Sequence, residues 1–343
     1  MHSISLIIPN YNYARYLARR LSTVLSQTIP VAEIIFLDDV STDNSVMLAE
    51  KLLKKQSIPY KIICNEKNEG VFAQWRKGIA LASYDLIWIA EVDDICESSF
   101  LATLLPAFED KQVALAYCQS VLVNEKLQKI GLDSDYKFEA YFPNPKIWQY
   151  DFVHNGYDEV QNNMLVMNPI VNVSACVFRK SSILENPKMQ AIESYKMMGD
   201  WLFYILLLAE DKQYKIAYFA EALNYFVRHT KSVSKQETQD IYNQELRSIY
   251  TYFLAQCSPN VETQEKMLSV LLAQEKIERL ETLLAQFEPE IVVRVLYQHL
   301  IFQKSLSVYE KKLIVYLRKM RKKLGVEQFL KKIFKLLVSD RNG

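Results

Sequence analysis

The sequence predicts an α/β fold: a mostly parallel sheet flanked by helices, continued from Thr238 by an all-helical region. Three observations carry that prediction. Over the first ~90 residues, short β-rich runs alternate with segments of helical period, the pattern of parallel strands joined by crossover helices. Each of the strand-like runs ends in a polar or acidic cluster, and open α/β sheets bind ligands beyond the carboxyl ends of their strands. After Thr238 the apolar spacing is helical throughout.

Taken in order, residues 3–8 form an apolar run closed by Pro9-Asn10-Tyr11-Asn12, a buried strand and its loop. Residues 14–27 place Leu17, Leu21, Val24 and Leu25 on one side of a helix. Residues 34–37 are a second strand ending in Asp38 and Asp39, and 43–55 read as a helix. A third strand at 60–64 leads through Asn65–Gly70 to a helix at 71–82, and a fourth at 86–90 ends in Glu91-Val92-Asp93-Asp94. A helix is expected at 100–108, with strand at 114–117 and 120–123. Residues 132–168 are polar and aromatic without a clear period, an excursion from the sheet of the kind that holds an acceptor. Strand at 171–179, helix at 200–210 and strand at 214–219 follow. The expected organisation is 1–110, 111–236 and a helical region over 237–343.

Composition narrows the class. Half of the 343 residues are hydrophobic and 24% are charged, which fits a folded chain with a sizeable core. Only seven glycines argue against flexible or repetitive organisation. Cys64, Cys96, Cys118, Cys176 and Cys257 are scattered and odd in number, so neither a disulfide framework nor a zinc site is indicated and a reducing, cytoplasmic setting is expected. The opening segment breaks at Pro9 and reads as a strand and not a signal peptide. No stretch reaches the ~18 apolar residues of a membrane span. Residues 304–341 carry twelve basic and three acidic residues, a net of +9 that leaves the rest at −8. Over 309–337 Leu313, Tyr316, Leu317 and Met320 share a helical face flanked by Lys and Arg. Such a stretch either lies on an anionic membrane surface or packs on the core or on a second subunit of a homo-oligomer. Nucleic acid is not expected as a partner, because no binding motif accompanies the charge.

The chemistry gathers at the strand ends. Carboxylates crowded at one strand end, as at Glu91, Asp93 and Asp94, repel each other unless a cation sits among them, and Mg²⁺ or Mn²⁺ with oxygen ligands is the cation suited to bridging to phosphates. A solvated acidic turn is the plainer alternative. Asp38 and Asp39 repeat the arrangement one strand earlier, where a carboxylate accepts hydrogen bonds from a base or ribose.

Six segments, in order, resemble the inverting family 2 glycosyltransferases over residues 3–235: the strand and loop through Pro9 and Tyr11, the Asp38-Asp39-Val40-Ser41-Thr42-Asp43 string, Asn68-Glu69-Gly70 with Gly78-Ile79, the Glu91–Asp94 acidic motif, Val177-Phe178-Arg179-Lys180 with Gly199-Asp200-Trp201, and the closing stretch with Arg228-His229. The resemblance implies a GT-A-type fold, with a nucleotide-sugar-binding half over 1–110 and an acceptor-binding half over 111–236. It implies a metal-dependent transfer from a nucleotide-sugar, a UDP-sugar first among them, to a glycan or lipid-linked acceptor in surface polysaccharide or glycoconjugate synthesis. Pro9, Tyr11, Asp38, Asp39, Asn68, Gly70 and Asp93 are then donor-binding residues. Arg179 and Arg228 either meet the phosphates or pair with surface carboxylates. Glu91, Asp93, Asp94 and His229 are the metal candidates, with no one carboxylate singled out. Asp200 is the expected general base, a role compatible with capping the helix it begins. Three positions depart from the family pattern: Trp75-Arg76 stands where Arg-Asn is common, Ser83 where Gly is often found before the fourth strand, and Glu91 where many relatives have Asp. A nucleotidyltransferase is the rival within enzymes, but residues 9–13 are not its Gly-rich phosphate loop. A non-catalytic glycan-binding or scaffolding protein has no need of Asp93, Asp94 and Asp200 together.

Overall fold

The structure is a computed structural model that describes residues 3–137, 142, 144–184, 186–229, 238–274, 283, 286–288, 290–292 and 294–296. The chain divides into two compact units, the first running to Tyr242 and the second beginning at Asn243.

In the first unit, apolar runs with no polar face become strands buried on both sides. β1 (Ile4–Asn10) and β2 (Glu33–Asp38) are buried along their whole length, as is β4 (Leu86–Ile89). β3 (Tyr60–Cys64) is the exposed edge. Helices α1 (Ala14–Leu25), α2 (Ser45–Leu53) and α3 (Val71–Leu81) make the crossovers between them. Beyond β4 come β5 (Ile95–Cys96), α4 (Phe100–Leu104), β6 (Val113–Asn124), β7 (Lys129–Leu132), β8 (Phe152–Asn155), α5 (Gly156–Glu159), β9 (Cys176–Arg179), α6 (Lys180–Leu184), α7 (Gly199–Ala209) and β10 (Lys215–Arg228). These strands form one sheet of ten in the order β3-β2-β1-β4-β9-β6-β10-β5, with β7 beside β6 and β8 beside β10. The pairings give β1, β2, β3, β4, β6 and β10 a common direction, opposed by β5, β7, β8 and β9. The sheet is thus mostly parallel and flanked by helices, as the alternation predicts.

Several expected elements differ in detail. The helix at 100–108 tightens after Leu104 into a 3₁₀ turn, Leu105–Glu109, where Pro106 offers no backbone N–H to an α-helix. The two short strands at 114–123 are one continuous β6. The strand expected from 171 begins only at Cys176, because the Asn172 side chain accepts from Ser174 N and turns 173–175 into a 3₁₀ turn. The aperiodic excursion contains β7, β8, α5 and short 3₁₀ and π-type turns.

Around the second unit's start the expected helices are α8 (Gln239–Gln256) and α9 (Val261–Gln274). They bury Leu246, Ile249, Tyr250, Phe253, Met267, Leu268 and Leu271. The basic stretch 304–341 lies outside the described residues.

Candidate active site

The ends of β1 and β2 build the first wall of the site. Asn10, at the end of β1, donates from Nδ2 to Asp38 Oδ1 at 2.7 Å and to Ser41 Oγ at 3.0 Å. Asp38 also accepts from Ser41 N at 2.9 Å. Asn12, at φ +58°, accepts from Thr42 N at 2.7 Å, so the two loops are sewn together. Asp39 is 1% exposed and ties down the next loop: its oxygens accept from Asn65 Nδ2 at 2.7 Å, Glu69 N at 2.9 Å and Gly70 N at 2.8 Å. Gly70 sits at φ +87°, a conformation an L side chain rarely adopts, and this aims its N–H at Asp39. Asn68 donates to the carbonyl of Asp39 at 3.2 Å.

The turn after β4 supplies the acidic wall. Glu91 accepts from the indole of Trp75 on α3 at 3.0 Å. Asp93 pairs with His229 Nε2 at 2.8 Å, and its carbonyl accepts from Arg19 at 3.1 Å. Asp94 is 1% exposed and accepts from Asn172 Nδ2 at 2.8 Å and Val227 N at 3.2 Å. Burial, then the charges of Asp93 and Asp94, push the Glu91 carboxyl up to about 8, and burial followed by Asp93 raises Asp94 as well. The Tyr13 phenol is pushed far up by burial and by Asp93 and Glu91, so it stays protonated.

The opposite wall is the start of α7. Gly199 packs against Phe72 of α3 so closely that an added Cβ would stand 2.5 Å from the ring. That contact brings Asp200, in the first turn of α7, to the same space. Its Oδ1 accepts from Trp201 N at 2.7 Å and its Oδ2 from Asn168 Nδ2 at 3.3 Å.

These walls enclose a cavity of about 1150 Å³ beyond the carboxyl ends of the parallel strands. Of the expected residues, Pro9, Tyr11, Asp39, Asn68, Gly70, Glu91, Asp93, Asp94 and Asp200 line it. Three of the donor-site candidates are not on the lining. Asp38 is not on the lining; it is spent on Asn10 and Ser41, holding the loops in register. Arg179 lies at the other edge of the sheet, because β9 runs antiparallel to β4 and ends beside Leu86. Its guanidinium is taken by Asp85, by Val113 O, and by the carbonyls of Phe108 and Asp110. Arg228 is also off the lining, its guanidinium 5.4 Å from the ring centre of Phe226, which does line the cavity. His229 has no side-chain exposure, and its Nε2 is engaged with Asp93. It acts on the acidic wall from behind. Sequence reasoning missed Tyr13, Gln74, Asn172 and Lys196 on the lining. Tyr13 alone had a signal, its place in the loop after β1. Asn172 and Lys196 come from stretches whose course depends on long-range packing.

An open, mostly parallel α/β sheet with an acidic cavity beyond its strand ends defines the class: an α/β protein with its cavity where such sheets bind ligands. Residues 5–184 match the profile of Glycosyl transferase family 2, more than half of the chain. The chain belongs to that family and is a glycosyltransferase. An uncharacterized glycosyltransferase of Haemophilus influenzae is 26% identical over 260 residues, which is 73% of this chain and 74% of the relative. An uncharacterized glycosyltransferase of Nostoc sp. is 36% identical over 110 residues, 32% of this chain and only 34% of the relative's length. Residues 1–349 of S. aureus TarS, solved in complex with UDP-GlcNAc, superpose with a TM-score of 0.58 over 85% of this chain and 81% of that one, at 15% identity. At that identity the likeness concerns the fold.

Proposed function

We propose that the protein moves a sugar from a nucleotide-sugar, first of all a UDP-sugar, to a hydroxyl of a glycan or lipid-linked acceptor, with inversion at the anomeric carbon. One observation carries this reading: the acidic turn of Glu91 and Asp93 and the carboxylate of Asp200, from distant parts of the chain, line the same cavity. The fold shared with a protein crystallised with UDP-GlcNAc supports the donor class. At about 1150 Å³ the cavity exceeds the ~300–1,000 Å³ usual for one small ligand, so donor and acceptor sugar fit together.

Tyr11, Pro9 and the Asn68–Gly70 loop held by Asp39 receive the nucleoside. Asp200 takes the proton of the acceptor hydroxyl as that oxygen attacks the anomeric carbon. It stands in the first turn of an 11-residue helix, and its two oxygens are oriented by Trp201 N and Asn168. The donor set fits Mn²⁺ or Mg²⁺. The carboxyl of Glu91 is held in its protonated form by burial and by like charges, the strain a divalent cation relieves. A hard cation at a phosphate-transfer type of site is held by one or two carboxylates plus substrate phosphates. Glu91 and Asp93 are those ligands, while Asp94 and His229 brace the turn. When bound, the metal neutralises charge on the departing diphosphate. Work at the cytoplasmic face of a membrane, in surface polysaccharide or glycoconjugate synthesis, is consistent with five free cysteines. Among the described residues, no helix is long and apolar enough to cross a membrane.

The test is a panel of UDP-, GDP- and dTDP-sugars with and without Mn²⁺, read as release of nucleoside diphosphate. Turnover of one donor that needs the metal and drops by about 10²-fold or more in Asp200→Asn is expected. An Asp200→Asn enzyme as fast as the parent sinks the assignment of the base, and metal-independent turnover sinks that of the cation.

A further inference from the structure

Arg20, on α1, is among the largest side chains with no exposure to solvent. Its Nε, Nη1 and Nη2 have no hydrogen-bond partner. The guanidinium lies 5.2 Å from the ring centre of Trp88 on β4, in the layer where α1 packs against the sheet. A guanidinium stays charged at every accessible pH, and a buried charge is tolerated only near opposite charge. A cation–π contact with one indole is too small, at about 2 kcal/mol, to offset the several kcal/mol of desolvation. Buried polar groups left in this way call for an explanation.

The opposite charge is close by. Trp88 lies on the strand whose end turns through Glu91 and Asp94 into β5, and α1 also packs on β5. Arg20 acts electrostatically on Glu91, Asp94 and Cys96, the buried ionisable groups of that turn and strand. Glu91 accepts from the neutral indole N–H of Trp75 on α3, and Asp94 from the Ser174 hydroxyl, the Asn172 amide and a backbone N–H. None of these donors carries a charge.

We propose that Arg20 is the buried counter-ion of Asp94 in the turn that carries Glu91, a positioning residue that fixes the acidic wall for a divalent cation and a nucleotide while touching neither. This rests on the glycosyl-donor reading of the cavity. Because the guanidinium makes no directed bond, its charge matters more than its shape.

The test uses the full chain and the variants Arg20→Met, Arg20→Lys, Asp94→Asn and Arg20→Met with Asp94→Asn. Thermal midpoints are measured without metal or nucleotide, then affinity for UDP, GDP and dTDP with Mn²⁺ by calorimetry. Arg20→Met and Asp94→Asn are each expected to lower the midpoint, and the double variant to fall by less than their sum, since each single change strands the other's charge. Arg20→Met is expected to weaken nucleotide binding about tenfold or more, and Arg20→Lys to recover most of that loss. If Arg20→Met does not fold, Arg20→Gln takes its place in the cycle. Additive midpoints overturn the pairing. Coupled midpoints with unchanged nucleotide affinity overturn the positioning role. Failure of the unaltered chain to bind any of the three nucleotides overturns the donor reading and the positioning role with it, and the ligand-free cycle still decides whether the two charges are paired.

Discussion

Val40 has φ +64° and is 39% exposed, directly after Asp39 at the rim of the cavity. A β-branched residue in the left-handed region carries a steric cost of roughly 1–2 kcal/mol that glycine does not. Two anchors hold it there: Asp39 is bound to three donors on the Asn65–Gly70 side, and Thr42 and Asp43 donate to Asn12 on the other. Val40→Gly is therefore expected to stabilise the chain by about 1 kcal/mol, a rise of ~2–4 °C in thermal midpoint for a unit of this size, read by calorimetry. A fall would mean that the valine side chain repays its strain. The second residue-scale consequence concerns Glu91. An acid whose value rises from 4.5 to about 8 on folding binds more protons folded than unfolded. Stability contributed by that proton is full at low pH and declines as pH climbs from about 4.5 to about 8. The metal-free chain should lose thermal midpoint over that window, Glu91→Gln should flatten the loss, and Mn²⁺ should oppose it most at its upper end. A Glu91→Gln profile parallel to that of the parent would show that another group sets the slope.

At the scale of elements, the approach of α7 to α3 decides where Asp200 stands. Gly199→Ala must push the two apart, because the new Cβ falls 2.5–2.8 Å from three ring atoms of Phe72. Overpacking of this kind costs about 1–3 kcal/mol. Turnover is expected to fall while nucleotide affinity holds, since Tyr11, Asp39 and Gly70 are untouched; equal losses in both would place α7 in the donor site itself. That packing was invisible in the sequence, which shows a Gly-Asp-Trp string but not what the glycine faces. The alternation through β4 was legible because strands buried on both faces must be apolar throughout, and residues 60–64 coincide with β3. β5 was not, since two residues carry no period, and they are strand only because Asn224 and Tyr225 pair with them. Among site residues, Asp39, Asp93 and Asp200 were readable from charge at strand and helix ends. Arg179 was misplaced because sequence order does not reveal that β9 reverses direction. The departures Trp75 and Glu91 turn out to be one feature, an indole donating to a carboxylate, as only the packing of α3 on the β4 turn could show.

At the scale of the molecule, every described residue lining the cavity, from Pro9 to Phe226, precedes the division after Tyr242. The sequence concentrates its basic surplus at the far end instead, +9 over 304–341 against −8 elsewhere. We expect these two properties to separate. A chain ended after Thr238, ahead of α8, should bind nucleotide with Mn²⁺ within about threefold of the full chain, because no lining residue is lost. The full chain should sediment with vesicles rich in anionic lipid, and the shortened one should not. The attraction should weaken steeply between low salt and ~0.15 M, where the Debye length is about 8 Å, and persist in part if an apolar helical face also enters the interface. Complete release by salt would leave a purely electrostatic contact. Equal sedimentation of both chains would remove the basic stretch from the account, and loss of nucleotide binding on shortening would show that the second unit completes the first.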